Sequence, residues 1–346
     1  MFRKITSKST DGRGRPSLRD ARPYGWIDKS QFVILRAVGI FAYRRRMTKR
    51  ARRGIASCGV ICYTEYITFK EVEAMNLGKQ LLKTIDRGGK PLYGDTALVG
   101  SRYYTGTDCF ASAQGITNDG RYYYCTGTFV PLNYQGLTKI DMQTGEIVLK
   151  KGGYLPQVLA EQGFNHYGGC TYFEGKIYVA IEDKDRAHPC LGVFDAETLE
   201  FTGQYQILGG EIQPNGNLPW CAADKDHRLL YTGYFDHCDH INEFHIDDLS
   251  FIRHIPIDFT VEKTQGGEMW NGLIYISCHD SWKTKHIYSI NPANGAVRAV
   301  MARAAGPHLV ESEGITICPM ADGSFFHQLD VVYPFGLAIR RYKQTR

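Results

Sequence analysis

Several signals that would name a chemistry are missing from this sequence of 346 residues. It has no Gly-rich phosphate loop, no G-x-S-x-G and no H-E-x-x-H, so nucleotide binding, serine hydrolase chemistry and zincin chemistry have no support. None of the 10 cysteines forms a C-x-x-C pair, which removes zinc-ribbon and thioredoxin-like readings. The apolar run at residues 31–43 is interrupted by Arg36 and is well short of the roughly 20 residues a membrane helix needs. A basic run, RRRMTKRARR, follows it where a secretory signal has an uncharged cleavage region. No membrane partner is therefore expected.

Charge is unevenly spread. The chain carries 41 Lys and Arg against 36 Asp and Glu. Residues 1–74 hold 17 of the basic and 6 of the acidic residues, leaving 24 basic and 30 acidic in the remainder. The remainder is mildly acidic, so residues 75–346 are not expected to bind nucleic acid by general electrostatics. Residues 1–29 are rich in Arg, Lys, Ser, Gly and Pro without a period and are expected to be unstructured. Lys70-Glu71-Val72 can be encoded by a purine-rich, ribosome-binding-like stretch at a short interval before Met75. Residues 1–74 are accordingly read as a basic upstream extension, with the working protein expected to start at Met75. Residues 75–94 then read as a short helix and a linker.

The rest is repetitive. GGCTYFEGKIYVAIE (168–182) has a small-residue opening, a strand, a Glu174-Gly175 turn and a second strand. The same plan recurs from Gly115, Gly169, Cys221, Gly267 and Gly314, at steps of 54, 52, 46 and 47 residues. Each copy but the fifth continues into two more strands joined by a polar turn: DMQTGE, DAETLE, HIDDLS and NPANGA. Strand-rich units at such a period predict an all-β fold, a five-bladed β-propeller over residues 95–346. The fifth copy is one strand short, so Ala97–Tyr104 is expected to supply it and close the ring. Cys125, Cys170, Cys221, Cys278 and Cys318 fall in strand-like, apolar surroundings and read as small buried hydrophobes. Reduced thiols, a cytoplasmic location and a monomer are expected.

Gln114-Gly115-Ile116, followed by an aromatic strand and GLTKIDMQTGEIV, resembles the opening blade of the glutamine cyclotransferase family. That resemblance implies a five-bladed propeller. It does not carry the activity across. The family's second blade opens with a Glu that serves as proton shuttle, and here Tyr167-Gly168-Gly169-Cys170 stands in its place. In the fourth blade, Gln265-Gly266-Gly267-Glu268-Met269 matches only the second of the family's two Glu, at Glu268.

In a propeller, the loop entering each blade's first strand and the loop leaving its second strand share one face around the central channel. The entering loops carry Gln114, His166, Asn217, Gln265, Glu268 and Glu313; the leaving loops carry Asp236, His237, His279, Asp280 and His327. Imidazoles, carboxylates and amides converging on a concavity form a site hypothesis. His237, His279, His327 and Glu313 are the acid/base candidates. Gln114, His166, Asn217, Trp220, Gln265, Glu268 and Asp280 are the ligand-binding candidates. Asp236, His237 and Glu313 are the candidates for a divalent metal, while the 236–240 loop reads equally as polar groups bonding backbone amides. Two functions stay open. One is a propeller that binds a small polar molecule or peptide at the channel mouth, as a metal-assisted lyase, hydrolase or cyclase. The other is a non-catalytic scaffold for a protein partner.

Overall fold

The computed structural model describes residues 76–346, except 85, 87, 130, 131, 154, 215, 307–309, 333–335 and 346. The basic segment 1–74 and the expected start at Met75 lie outside the described residues.

After a helix, α1 (residues 76–84), come β1 (Pro91–Tyr93) and β2 (Thr96–Tyr104). Blade one follows with β3 (Ile116–Asn118), β4 (Tyr122–Phe129), β5 (Tyr134–Asp141) and β6 (Ile147–Gly152). Blade two has β7 (Phe164–Phe173), β8 (Lys176–Asp183), β9 (Cys190–Asp195) and β10 (Phe201–Ile207). Blade three has β11 (Cys221–Asp224), β12 (Leu229–Thr232), β13 (Cys238–His245) and β14 (Phe251–Val261). Blade four has β15 (Thr264–Trp270), β16 (Leu273–Cys278), β17 (Thr284–Asn291) and β18 (Ala296–Ala304). Blade five has β19 (Val310–Ile317), β20 (Ser324–Val332) and β21 (Gly336–Gln344). The result is a five-bladed β-propeller of antiparallel sheets. Among the described residues, no helix is long and apolar enough to cross a membrane.

Local chemistry makes the turns as the sequence predicts. Glu174-Gly175 and Asn271-Gly272 have φ of 46° and 77°, and 47° and 76°, the paired positive values of a two-residue hairpin turn. In the outer turns, Asp141 and Asp195 each accept hydrogen bonds from the backbone N–H groups two and three residues on. Cys125, Cys170, Cys221 and Cys278 are buried free thiols inside strands; Cys318 is partly buried and lies one residue beyond β19.

Closure comes from the start of the chain. β2 pairs with β21 from Thr96↔Gln344 to Tyr104↔Leu337 and completes blade five. One element was not foreseen. β1, expected as linker, adds a fifth strand to blade four, with Pro91 opposite Arg303 and Tyr93 opposite Ala302. The segment before the ring is further pinned by Leu82 of α1, buried against Val310, Val332 and Ala338.

A chain of buried charges ties that segment to two blades. Arg303 grips Asp330 with two N–H···O contacts of 2.6 Å. Arg340 reaches the same carboxylate through Nε at 2.5 Å and holds Asp86 through two more, at 2.7 and 2.9 Å. Burial alone would raise the Asp86 carboxyl, but the Arg340 guanidinium more than offsets this and holds it below the usual range.

Two consequences can be measured by urea denaturation. Arg340→Met leaves Asp86 and Asp330 short of their cation and is expected to cost about 3–5 kcal/mol; a cost near zero would deny the chain of charges its structural role. Because Asp86 is depressed, its share of stability is present at neutral pH and lost as pH falls through the acid range, and Arg340→Met should reduce that acid-side loss. Gly267→Ala would place a methyl 2.5 Å from a carbon of the Trp220 ring. It should cost about 1–3 kcal/mol by overpacking, whereas an unchanged midpoint would mean the hub is looser than described.

Candidate functional site

The first strand of each blade lies at the axis, and at four of the five hub positions the neighbouring strand leaves no room for a side chain. Gly115, Gly169, Trp220, Gly266 and Gly314 form one level of this hub. A Cβ on Gly266 would lie 2.6 Å from the Cα of Gly314, and one on Gly314 would lie 2.6 Å from the backbone nitrogen of Ile116. Backbone bonds cross between blades at the same level: Gly169 N–H donates to the Pro219 carbonyl at 2.7 Å, and Gly314 N–H to the Gln114 carbonyl at 2.9 Å. In blades three and four the repeat is therefore one residue earlier than sequence periodicity suggests, at Trp220 and Gly266 rather than Cys221 and Gly267. The ring divides the axis into an entrance face, where the inner strands begin, and an exit face, where they end.

On the entrance face, blades four and five bring several ionisable groups together. His279 follows β16, and the Ser312 N–H donates to its Nδ1 at 3.3 Å. The buried Lys285 ammonium lies 3.0 and 3.2 Å from the two ring nitrogens and donates to the Ser281 carbonyl at 2.6 Å. Burial, and then the neighbouring Lys285, push His279 down to about 4, so it is neutral at pH 7. Burial, with Arg303 nearby, pushes Lys285 down to about 8. Gln265 Nε2 approaches Glu311 Oε1 at 3.4 Å, joining the inner strands of the two blades.

Glu313 sits within this group on β19. It is only 2% exposed, and its carboxyl has no hydrogen-bond or ion-pair partner among the described residues. Burial raises it well above the ordinary carboxylate range, and the charges of Glu311 and Asp330 add to the effect. The backbone, by contrast, is fixed: the Glu313 carbonyl accepts from the Ser277 hydroxyl and from Gln328 Nε2 at 3.1 Å.

Other predicted residues are placed elsewhere. Asp236 forms an ion pair with Lys263, and His237, at a positive φ of 51°, pairs with Glu262 at 2.6 Å; both are on the exposed rim. Among the described residues, no group of three or more His, Cys, Asp or Glu is placed to hold a metal ion, and the donors Asp236, His237 and Glu313 do not converge. His327 is not on a loop. It lies buried in β20, bonded through Nδ1 to the Tyr123 hydroxyl, and burial followed by Arg341 pushes it down to about 4. It therefore does not pair with His279. Trp220, expected to line the ligand, is completely buried, with its indole N–H donating to Thr264 Oγ1 at 2.9 Å. An indole under two glycines is hub packing.

Asp280 is engaged by His286 Nδ1 at 2.5 Å. Asn217 accepts from Arg186 at 2.9 Å. His166 lies on β7 opposite Glu182, and burial lowers its pKa. Gln114 enters blade one beside the hub. Glu268 lies beyond the ring on the exit face. Its Oε2 accepts from Thr117 Oγ1 at 3.2 Å and Thr316 Oγ1 at 3.0 Å.

Sequence reasoning missed Lys285 as a member of the group. The available signal was alternation: on β17, Lys285 shares a face with the buried Ile287. Two surface clefts, of about 440 and 500 Å³, lie elsewhere and contain none of the predicted site residues. Glu211, Asp239, His240 and His254 are among the residues lining the first; Tyr104, Asp108 and Glu146 are among those lining the second.

No protein-family model matches the sequence, and no characterised protein does. Among solved structures, hydrazine synthase of Kuenenia stuttgartiensis is similar at 12% identity and a TM-score of 0.35, over 65% of this chain and 58% of that one. So distant a likeness says nothing about chemistry, and none of these comparisons links the chain to the glutamine cyclotransferases.

Proposed function

We propose that the propeller binds a small polar ligand on the entrance face of its axis, between blades four and five, and exchanges a proton with it there. The observation that carries this reading is Glu313. A carboxyl buried to 2% exposure without a protein partner is costly to the fold. Such a group is retained where a ligand completes its hydrogen bonding.

The surrounding groups fit proton transfer. Burial, with the charges of Glu311 and Asp330, holds Glu313 well above the ordinary carboxylate range and so favours the protonated form, which can donate a proton. His279, neutral at pH 7, is the matching acceptor. Lys285 acts as a positioning residue: bonded to the Ser281 carbonyl and to the imidazole, it fixes the ring. Gln265 and Glu311 supply further polar contacts at the mouth. A carboxyl able to give up a proton, on the same face as a neutral imidazole, suits a lyase, hydrolase or cyclase step on a ligand bearing a carbonyl or carboxyl group. The reading needs no divalent metal among these residues.

The test is thermal unfolding of the full chain against a panel of hydroxy acids, amino acids, amides and sugars, repeated with Glu313→Gln. At least one class should raise the wild-type melting temperature, and the variant should lose that response. A flat response to the whole panel, or an equal one in the variant, would overturn the reading. The pH dependence has its own sign. A carboxyl whose folded pKa is raised binds more protons folded than unfolded, so stability is lost as pH rises from the unfolded carboxyl pKa towards the folded one. Glu313→Gln should therefore melt higher than wild type at pH 8 and close to it at pH 5.

A further inference from the structure

The exit face of the axis holds a second set of oxygens that the proposed ligand site does not use. Thr117, Thr171, Ala222, Glu268 and Thr316 each lie two residues beyond their blade's position in the hub ring, and all five are buried. Repeated hydrogen bonds fix their equivalence: Tyr172 N–H donates to Thr117 Oγ1 at 3.0 Å, and Ala223 N–H to Thr171 Oγ1 at 3.1 Å. Glu268 belongs to blade four, yet it bonds Thr117 of blade one as well as Thr316 of blade five. A side chain that reaches past the neighbouring blade crosses the axis. One oxygen, Oε2, is taken by the two hydroxyls. The other, Oε1, has no hydrogen-bond or ion-pair partner among the described residues, although Glu268 is only 2% exposed. Ala222 leaves the fifth position without a γ-atom.

We infer that this level of the axis is a cation site, in which a hard ion of the calcium or sodium kind is held by the Glu268 carboxylate and the hydroxyls of Thr117, Thr171 and Thr316. Hard cations take oxygen ligands, and carboxylate and neutral oxygens around one point are such a set. The set has no imidazole or thiolate, the donors that select transition metals. No basic side chain forms an ion pair with Glu268 among the described residues. Lys225, exposed on the turn between β11 and β12, acts on it only through its field. The other titratable groups near it are Cys170, Cys221 and Cys318, thiols that burial keeps protonated.

A proton and the ion compete for this carboxyl. Burial pushes Glu268 up to about 7, against the lowering field of Lys225. This site and the one at Glu313 lie on opposite sides of the hub ring, so either reading can fail without the other.

The experiment is thermal unfolding of the full chain, freed of ions with chelator and held in choline chloride, with calcium, sodium, magnesium or potassium chloride added at pH 6 and pH 8. Calcium or sodium is expected to raise the melting temperature in proportion to the logarithm of its concentration. Glu268→Gln keeps an acceptor for both threonine hydroxyls, so it should fold and lose the response. The inference is overturned if neither calcium nor sodium shifts the wild type, or if Glu268→Gln responds as the wild type does.

Discussion

Everything in this molecule depends on how closely five strands can meet at one axis. Four glycines and the backbone of Trp220 let the inner strands touch at the level of their main chains, and hydrogen bonds pass directly from blade to blade there. A side chain at any of these glycines would force the blades apart. The tightness of the ring has a functional consequence. It separates the two ends of the axis, and a buried glutamate, Glu313 or Glu268, lies on each side of the ring.

The protein treats its buried charges in two opposite ways. Arg303, Asp330, Arg340 and Asp86 are matched charge for charge, with two-pronged guanidinium contacts that satisfy the carboxylates. They join the segment before the ring to blades four and five and help the closing strand stay in place. The Glu313 carboxyl and Glu268 Oε1 have no hydrogen-bond or ion-pair partner among the described residues, although both residues are buried. The contrast is the basis for proposing that each end of the axis takes up a further group.

Much of the architecture was legible in the sequence because it rests on local rules. Alternation, two-residue turns such as Glu174-Gly175, and Asp-led outer turns each act over a few residues, and they led to five blades and a closing strand near Ala97–Tyr104. The hub register was off by one in blade four because a small residue stands at both neighbouring positions, Gly266 and Gly267, and the contact that chooses between them comes from another blade, and in blade three because the hub position is Trp220, which a search for small residues passes over. The site was harder to read. Gln265, His279 and Glu313 do fall near one another, as loops on one face should. His327 and Trp220 do not, because strand length and packing decide whether a polar or aromatic residue at a strand end faces the axis or the core. Arg340 and Asp86 meet across 254 residues of sequence, and no local pattern announces such a pair. Lys285 announces itself only by alternation.

The account's central claim is that Glu313 is a neutral acid in the folded protein, held ready for a ligand. Difference infrared spectroscopy between the wild type and Glu313→Gln at pH 7 tests it most directly. The account predicts a protonated carboxyl stretch in the wild type that the variant lacks. A carboxylate band in its place would show Glu313 ionised and solvated, and would contradict the account.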